Sequence, residues 1–160
     1  MPELIIYQIT NEEIKDVATT LVKGLFDKNA KAVLMFDSHS LMNDCDKKIW
    51  TFSSEQFIPH GMITDKFDKE LQSFYLTDRF ETIQGFSTMA FIFENDNTVD
   101  NIEKITSNNF PDYIERVIYM FSGILESKEY VKEINKLNLD SKFTSHKFFC
   151  RQNATWLKII

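Results

Sequence analysis

The side chains that carry most enzyme chemistry are sparse and scattered in this chain. The three histidines, His39, His60 and His146, fall in no H-x-x-x-H or C-x-x-H spacing that would converge on a metal. Two cysteines, Cys45 and Cys150, are too few for a disulfide framework and read as small core residues. Acids cluster at Asp44 and Asp46, and again at Asp65, Asp68 and Glu70. Carboxylates of that kind suit Mg²⁺, but the same pattern describes a solvated surface. No Ser-His-Asp set presents itself. The expectation is therefore no catalytic residues, no metal and no cofactor.

Phosphate chemistry is disfavoured on a second ground. A nucleotide-binding turn needs G-x-G-x-x-G or G-x-x-x-x-G-K-[ST], so that backbone approaches the phosphates closely. The chain of 160 residues has only four glycines, Gly24, Gly61, Gly85 and Gly123, against an average near 7%. They are isolated. The turn after the first apolar run is Thr10-Asn11-Glu12-Glu13, with no glycine and two carboxylates that would repel a polyphosphate. A net charge of −6 also works against general nucleic-acid binding.

Binding chemistry has better candidates. Trp50, on the edge of a helical stripe, is followed by Phe57, Ile58, Pro59 and His60. Grouped, partly exposed aromatics of this kind make interface anchors, or else close the core over a helix end. Charge is also unevenly placed. Residues 128–160 carry seven basic and three acidic side chains, net +4, while residues 1–127 carry net −10. Lys128, Lys132 and Lys136 recur at i, i+4 and i+8, one face of a helix. That face fits an acidic ligand, or a solvated surface laced with Glu129–Lys132 and Glu133–Lys136 pairs.

These residues must be positioned by elements that the pattern largely declares. Residues 4–9 form a β-rich apolar run. Thr10 to Glu13 matches a capping box, T-x-x-E. Ile14, Val17, Ala18, Leu21, Val22, Leu25 and Phe26 then make an amphipathic helix that stops at Asp27-Lys28-Asn29. Ala32 to Phe36 is continuously apolar, the mark of a strand buried on both faces of a parallel sheet. Asp37-Ser38 caps a second helix to about Phe52, with Leu41, Cys45, Ile49 and Phe52 inward. Residues 73–77, 86–93 and 117–121 read as strands, and 95–109 as a polar loop or weakly helical insertion. Ser127 caps a long last helix with Tyr130, Val131, Ile134 and Leu137 inward. Residues 143–160 show no clear period. The alternation predicts one domain over 1–160, a three-layer α/β/α fold with a mostly parallel sheet and a nucleotide-binding-like topology without a phosphate loop. No apolar run approaches the ~20 residues of a membrane helix, and no export signal opens the chain, so a cytoplasmic location is expected.

The block Asp46-Lys47-Lys48-Ile49-Trp50 through Glu55, Phe57, Ile58, Pro59 and His60 is similar, without gaps, to a D-x-x-L-W-x-x-x-x-E-x-F-V/I-P-H pattern. Asn153-Ala154-Thr155-Trp156 resembles an A-T-W ending. With the opening strand, the long first helix and F-x-x-x-x-E-R-V-I at residues 110–118, the chain resembles the chi subunit of the bacterial DNA polymerase III holoenzyme. The resemblance implies a non-catalytic accessory protein that binds the acidic C-terminal tail of single-stranded DNA-binding protein. It would thereby link the clamp loader to coated template and touch DNA only indirectly. It implies tail contacts at Lys128, Val131, Lys132 and Ile134, on the best match to an R-x-x-[WY]-K pattern. Lys128 stands for Arg and keeps the charge without the bidentate fork. It also implies a second partner, the psi subunit or a helicase, at Trp50, Phe57, Pro59 and His60. Residues 140–151 read as an insertion before the A-T-W ending. The rival reading is a divergent nucleotide-binding phosphotransferase on the same fold. A third is direct binding of single-stranded DNA by the basic end with Phe148, Phe149 and Trp156.

Overall fold

A computed structural model describes residues 1–52, 57–62 and 66–160. The elements run β1 (Glu3–Ile9), α1 (Ile14–Asp27), β2 (Ala32–Phe36), α2 (His39–Thr51), β3 (His60–Met62), β4 (Phe74–Thr77), β5 (Thr88–Phe93), α3 (Thr98–Thr106), β6 (Arg116–Ser122), α4 (Ser127–Ile134), β7 (His146–Gln152) and β8 (Thr155–Lys158). Among the described residues, eight strands form one sheet in the order β3-β4-β2-β5-β6-β1-β7-β8. Every neighbouring pair is parallel except β7 with β8. Helices α1 and α2 cover one face, packing on Ile9, Leu34, Ile92 and Met120. Helices α3 and α4 cover the other, on Leu4, Phe91, Tyr119 and Phe121. This is the expected three-layer arrangement with a mostly parallel sheet. The central strands are apolar without alternation because both faces are covered.

Local chemistry explains where the elements stop. Helix α1 ends with Asn29 at φ 57°, while Asn29 N donates to Phe26 O at 3.0 Å and Ala30 N to Leu25 O at 2.9 Å. That is the bond pattern of a left-handed C-terminal cap, which Asn tolerates. Helix α2 opens as expected, with Ser38 Oγ accepting from Leu41 N at 3.1 Å.

Several expectations are corrected. The capping box at Thr10 does not form. Glu13 precedes the helix without a side-chain cap, because the Thr10 hydroxyl donates instead to Arg151 O on β7, 3.2 Å away. Phe52 lies past the last residue of α2 and is exposed rather than inward. Residues 95–109, read as a polar loop or a weakly helical insertion, take the helical alternative. They contain α3, which buries Ile102, Ile105 and Asn101. Asn101 is tolerated inside because its Nδ2 donates to Tyr119 Oη and to Asn95 Oδ1, both at 2.8 Å. Ser127 does not cap α4. Its Oγ donates to Gln8 Oε1 at 2.8 Å, and Glu126 occupies the cap position. Helix α4 has only eight residues, so Lys136 falls beyond it and the i, i+4, i+8 row is not one helix face. Residues 140–151, read as an insertion before the A-T-W ending, carry structure of their own. They supply β7, which pairs with β1 along six residues.

Candidate functional site

Gln8 builds the first surface from beneath. It ends inside the core with no exposed area, yet all its polar atoms are used. Its Nε2 donates to Gly123 O at 3.1 Å and Leu125 O at 2.8 Å, and its Oε1 accepts from Ser127. This fixes the β6–α4 turn to β1. Tyr130 adds a second tie, donating to Asp96 Oδ2 at 3.0 Å and accepting from Leu125 N at 3.2 Å. The start of α4 is therefore held rigidly, and it presents Lys128 and Lys132 to solvent on either side of half-buried Val131. Ile134, expected to contact a ligand, has no exposed area and supports α4 from within the core. Lys128 pairs with Glu126 at 3.1 Å, both side chains being exposed. The hydrogen bond that Lys128 donates to Glu126, with the charges of Glu126 and Glu129, raises the Lys128 pKa and keeps it cationic.

A second surface lies at the end of α2. Trp50 and Phe57 are 55% and 62% exposed, with ring centroids 5.4 Å apart. Large aromatics left this open and touching one another make an exposed apolar patch. His60 was expected on the same surface but is 3% exposed. It serves as a strut. Its ring meets Trp50 at 4.7 Å, its Nδ1 lies 2.9 Å from Ile58 O, and its Nε2 lies 2.9 Å from Asp46 Oδ1. The spacing of Asp46, Trp50 and His60 is thus explained by packing: an aspartate on α2 holds a histidine on β3, and the tryptophan lies between them in sequence and over the ring in space. Pro59 is half-buried, and its carbonyl accepts from Ser73 N at 2.9 Å, tying this segment beside β4. Glu55 of the sequence block and Asp65 of the acidic cluster lie outside the described residues.

The carboxyl edge of the sheet is where folds of this kind hold nucleotides. An open cleft of about 320 Å³ there is lined by Glu12, Glu13, Ile14, Lys15, Asp44, Glu94 and Ser122. Its one cation, Lys15, is paired with Glu13 at 3.2 Å. Four carboxylates without a glycine turn oppose a polyphosphate, so the phosphotransferase reading gains no support. Asp37 Oδ2, at the same edge, already accepts from Glu94 N at 3.0 Å and Asn95 Nδ2 at 3.1 Å. Among the described residues, no three His, Cys, Asp or Glu side chains converge as metal ligands. Burial, and then the charges of Asp44 and Glu94, push the Cys45 thiol up to about 12, far from a reactive thiolate. No helix among the described residues is long and apolar enough to cross a membrane.

One grouping had no clear signal in the sequence. Tyr7 of β1, Arg116 of β6, Gly24 and Lys28 of the α1 end, and Trp156 of β8 come together around a groove. Only the long-range pairing of β1 with β6 and β7 brings them close.

Comparison with known proteins agrees with the resemblance read from the Trp50 block. The family model described as "DNA polymerase III chi subunit, HolC" matches residues 1–133. The probable DNA polymerase III subunit chi of Rickettsia prowazekii (strain Madrid E) is 28% identical over 139 residues, covering 85% of this chain and 79% of that protein. Among solved structures, domain 2 of a DEAD-box helicase bound to an RNA duplex aligns with a TM-score of 0.49 and 11% identity, over 96% of this chain and 66% of that one.

Proposed function

The chain belongs to the DNA polymerase III chi subunit family, and from that premise we propose that it links the clamp loader to single-stranded DNA-binding protein by holding that protein's acidic C-terminal tail. It is an accessory subunit of the replicative polymerase. In this reading residues 1–160 act as one domain, in the cytoplasm, and reach DNA only through the protein that coats it.

The observation that supports tail docking is the presentation of Lys128 and Lys132 on a rigidly tied helix start, flanking half-buried Val131. Cations at the rim of a small apolar contact suit a peptide that carries both carboxylates and apolar side chains. Such rim charges act mainly on the association rate and are screened by salt. Glu126 competes for Lys128, so an incoming carboxylate must displace it. The Trp50–Phe57 patch, far along the sheet on β3's side, is the surface for a second protein, the psi subunit or a helicase.

The test is calorimetric titration with the tail peptide at two salt concentrations. Lys128→Glu weakens binding, by about tenfold if one charge-assisted contact is lost and one repulsion gained, and higher salt weakens it in the wild type. Trp50→Ala leaves the tail affinity alone but loses the second partner in a pull-down. Unchanged tail affinity in Lys128→Glu overturns the placement on α4.

A further inference from the structure

Of the aromatics that the sequence groups with the basic end, Phe148 lies on the α3–α4 side of the sheet with no exposed area. Phe149 and Trp156 lie on the other side. Register fixes this. Tyr7 of β1 is level with Phe149 of β7, and Arg151 of β7 with Trp156 of β8. Residues level with one another across a sheet share a face. Three rings therefore gather there. Tyr7 stands 5.6 Å from Phe149 and 4.6 Å from Trp156, centroid to centroid. Leu21 and Leu25 of α1 border the groove that Tyr7 and Trp156 line. Beyond it Phe149 and Trp156 are half-buried and Lys158 is exposed, so the sheet is open to solvent at β7 and β8 on this side.

The same face gathers cations. Lys147 is level with Ile5, and Lys158 with Phe149. Arg116 of β6 and Lys28 just past α1 border the groove beside Tyr7. The Arg151 guanidinium lies 5.2 Å from the Trp156 ring. Two carboxylates pair with these five cations. Glu3 lies 2.9 Å from Arg116 Nε and 3.8 Å from Lys147 Nζ, and Glu12 lies 2.8 Å from Arg151 Nε. Among the described residues, Lys28 and Lys158 have no ion pair, and the Trp156 indole N–H and the Tyr7 hydroxyl have no hydrogen bond. Charges more than about 8 Å away are largely screened at physiological salt, so this local excess acts here rather than the net −6 of the chain.

We propose that this face holds a short stretch of single-stranded DNA directly, with bases stacked on Phe149 and Trp156 and phosphates on Lys28, Arg116, Lys147 and Lys158. Rings that accept any base, beside cations that follow the backbone, are the means of sequence-tolerant single-strand binding. RNA-binding sheets stack two or three bases on such rings. The three strands β1, β7 and β8 span only about 10 Å, which limits the contact to a similar number. An acidic peptide satisfies the cations but offers no planar group to the rings, and a duplex hides its base faces. The proposed function brings DNA through the protein that coats it. This contact is a second and direct one, on the side of the sheet away from Lys128, and does not rest on that reading.

The experiment titrates the full chain into a fluorescein-labelled oligothymidylate of about 12 nucleotides and reads anisotropy. The dissociation constant at 50 mM salt falls at about 10–100 μM, inside the range of non-specific binding. Four phosphate contacts, at about 0.7 each in the salt slope, weaken it about sevenfold between 50 and 100 mM salt. Lys158→Glu, at an exposed and unpaired position, weakens binding by about tenfold with an unchanged Tm. An abasic strand with the same number of phosphates binds at least about tenfold more weakly, and so does polyglutamate of equal charge. Phe149→Leu keeps an apolar side chain, lowers the affinity for the oligothymidylate and leaves that for the abasic strand unchanged. In ¹H–¹⁵N correlation spectra the Trp156 indole signal shifts on binding and the Trp50 signal stays. Lys128→Glu leaves the affinity within about twofold, which separates this face from α4. Equal binding of the abasic strand or of polyglutamate, wild-type affinity in Lys158→Glu, a shift of Trp50 in place of Trp156, or no binding at 50 mM salt overturns the proposal.

Discussion

Gly24 and Gly123 invite the same substitution with opposite results. In Gly123→Ala the new methyl would lie 2.6 Å from Tyr130 Oη, 2.7 Å from Phe121 Cε2 and 2.8 Å from Tyr130 Cζ. Ordinary carbon contacts begin near 3.5 Å, so the overlap approaches 1 Å on two rings at once. Neither ring can step aside. Phe121 is fully buried, stacked on Tyr119 at 5.2 Å, and Tyr130 is 2% exposed. Relief requires moving α4 outward, which stretches the Tyr130 bonds to Asp96 and Leu125. Overpacking costs about 1–3 kcal/mol and each weakened hydrogen bond about 1 kcal/mol more. A total near 3 kcal/mol lowers Tm by roughly 6–12 °C for a chain of this length. In Gly24→Ala the methyl meets nothing, and the gain in helix propensity raises stability by about 0.5–1 kcal/mol. Scanning calorimetry of both variants beside the wild type decides the matter. Gly123→Ala should also weaken tail-peptide binding, because the segment that moves carries Lys128 and Lys132. A Gly123→Ala protein with the wild-type Tm would refute the close packing of Tyr130 over the β6–α4 turn, and with it the rigid presentation of those lysines.

Two further outcomes rest on single features. Ala154→Gly relieves the left-handed strain in the β7–β8 hairpin and supplies the Asn-Gly pair that such two-residue turns favour, so the urea midpoint rises by the equivalent of about 1 kcal/mol. The thiol of Cys45 is held protonated in the fold, so between its ordinary value of 9 and about 12 the unfolded chain binds fewer protons than the folded one. Stability therefore falls as pH rises through that window. Burial of Tyr119 and Tyr75 acts in the same direction from 10 upward. Urea titrations from pH 8 to 11 check this, and Cys45 should stay unreactive toward a thiol reagent at pH 8 until denaturant is added.

By itself the sequence determined the elements whose pattern is local. The stripe from Ile14 to Phe26, the continuous apolar strand Ala32–Phe36 and the Ser38 cap all form as read, because periodicity and capping act within a few residues. It also determined the absence of a glycine turn after β1, and the Trp50 block that carries the family likeness. Tertiary structure decided what depends on distant partners. Thr10 gave up its cap for the Arg151 carbonyl, and Ser127 for Gln8. Asn101 entered the core because Tyr119 satisfied its amide, which decided for a helix in a stretch that the sequence left between a loop and a weak helix. His60 turned inward to Asp46, and Ile134 sank beneath α4, so neither remains on the surface assigned to it. The C-terminal stretch became strands only by pairing β7 with β1, a contact between chain ends. That same pairing places Trp156 over Tyr7 and makes a groove from residues more than a hundred positions apart. Hydrogen bonds and burial of this range leave no mark in local spacing, which is why they had to be seen in three dimensions.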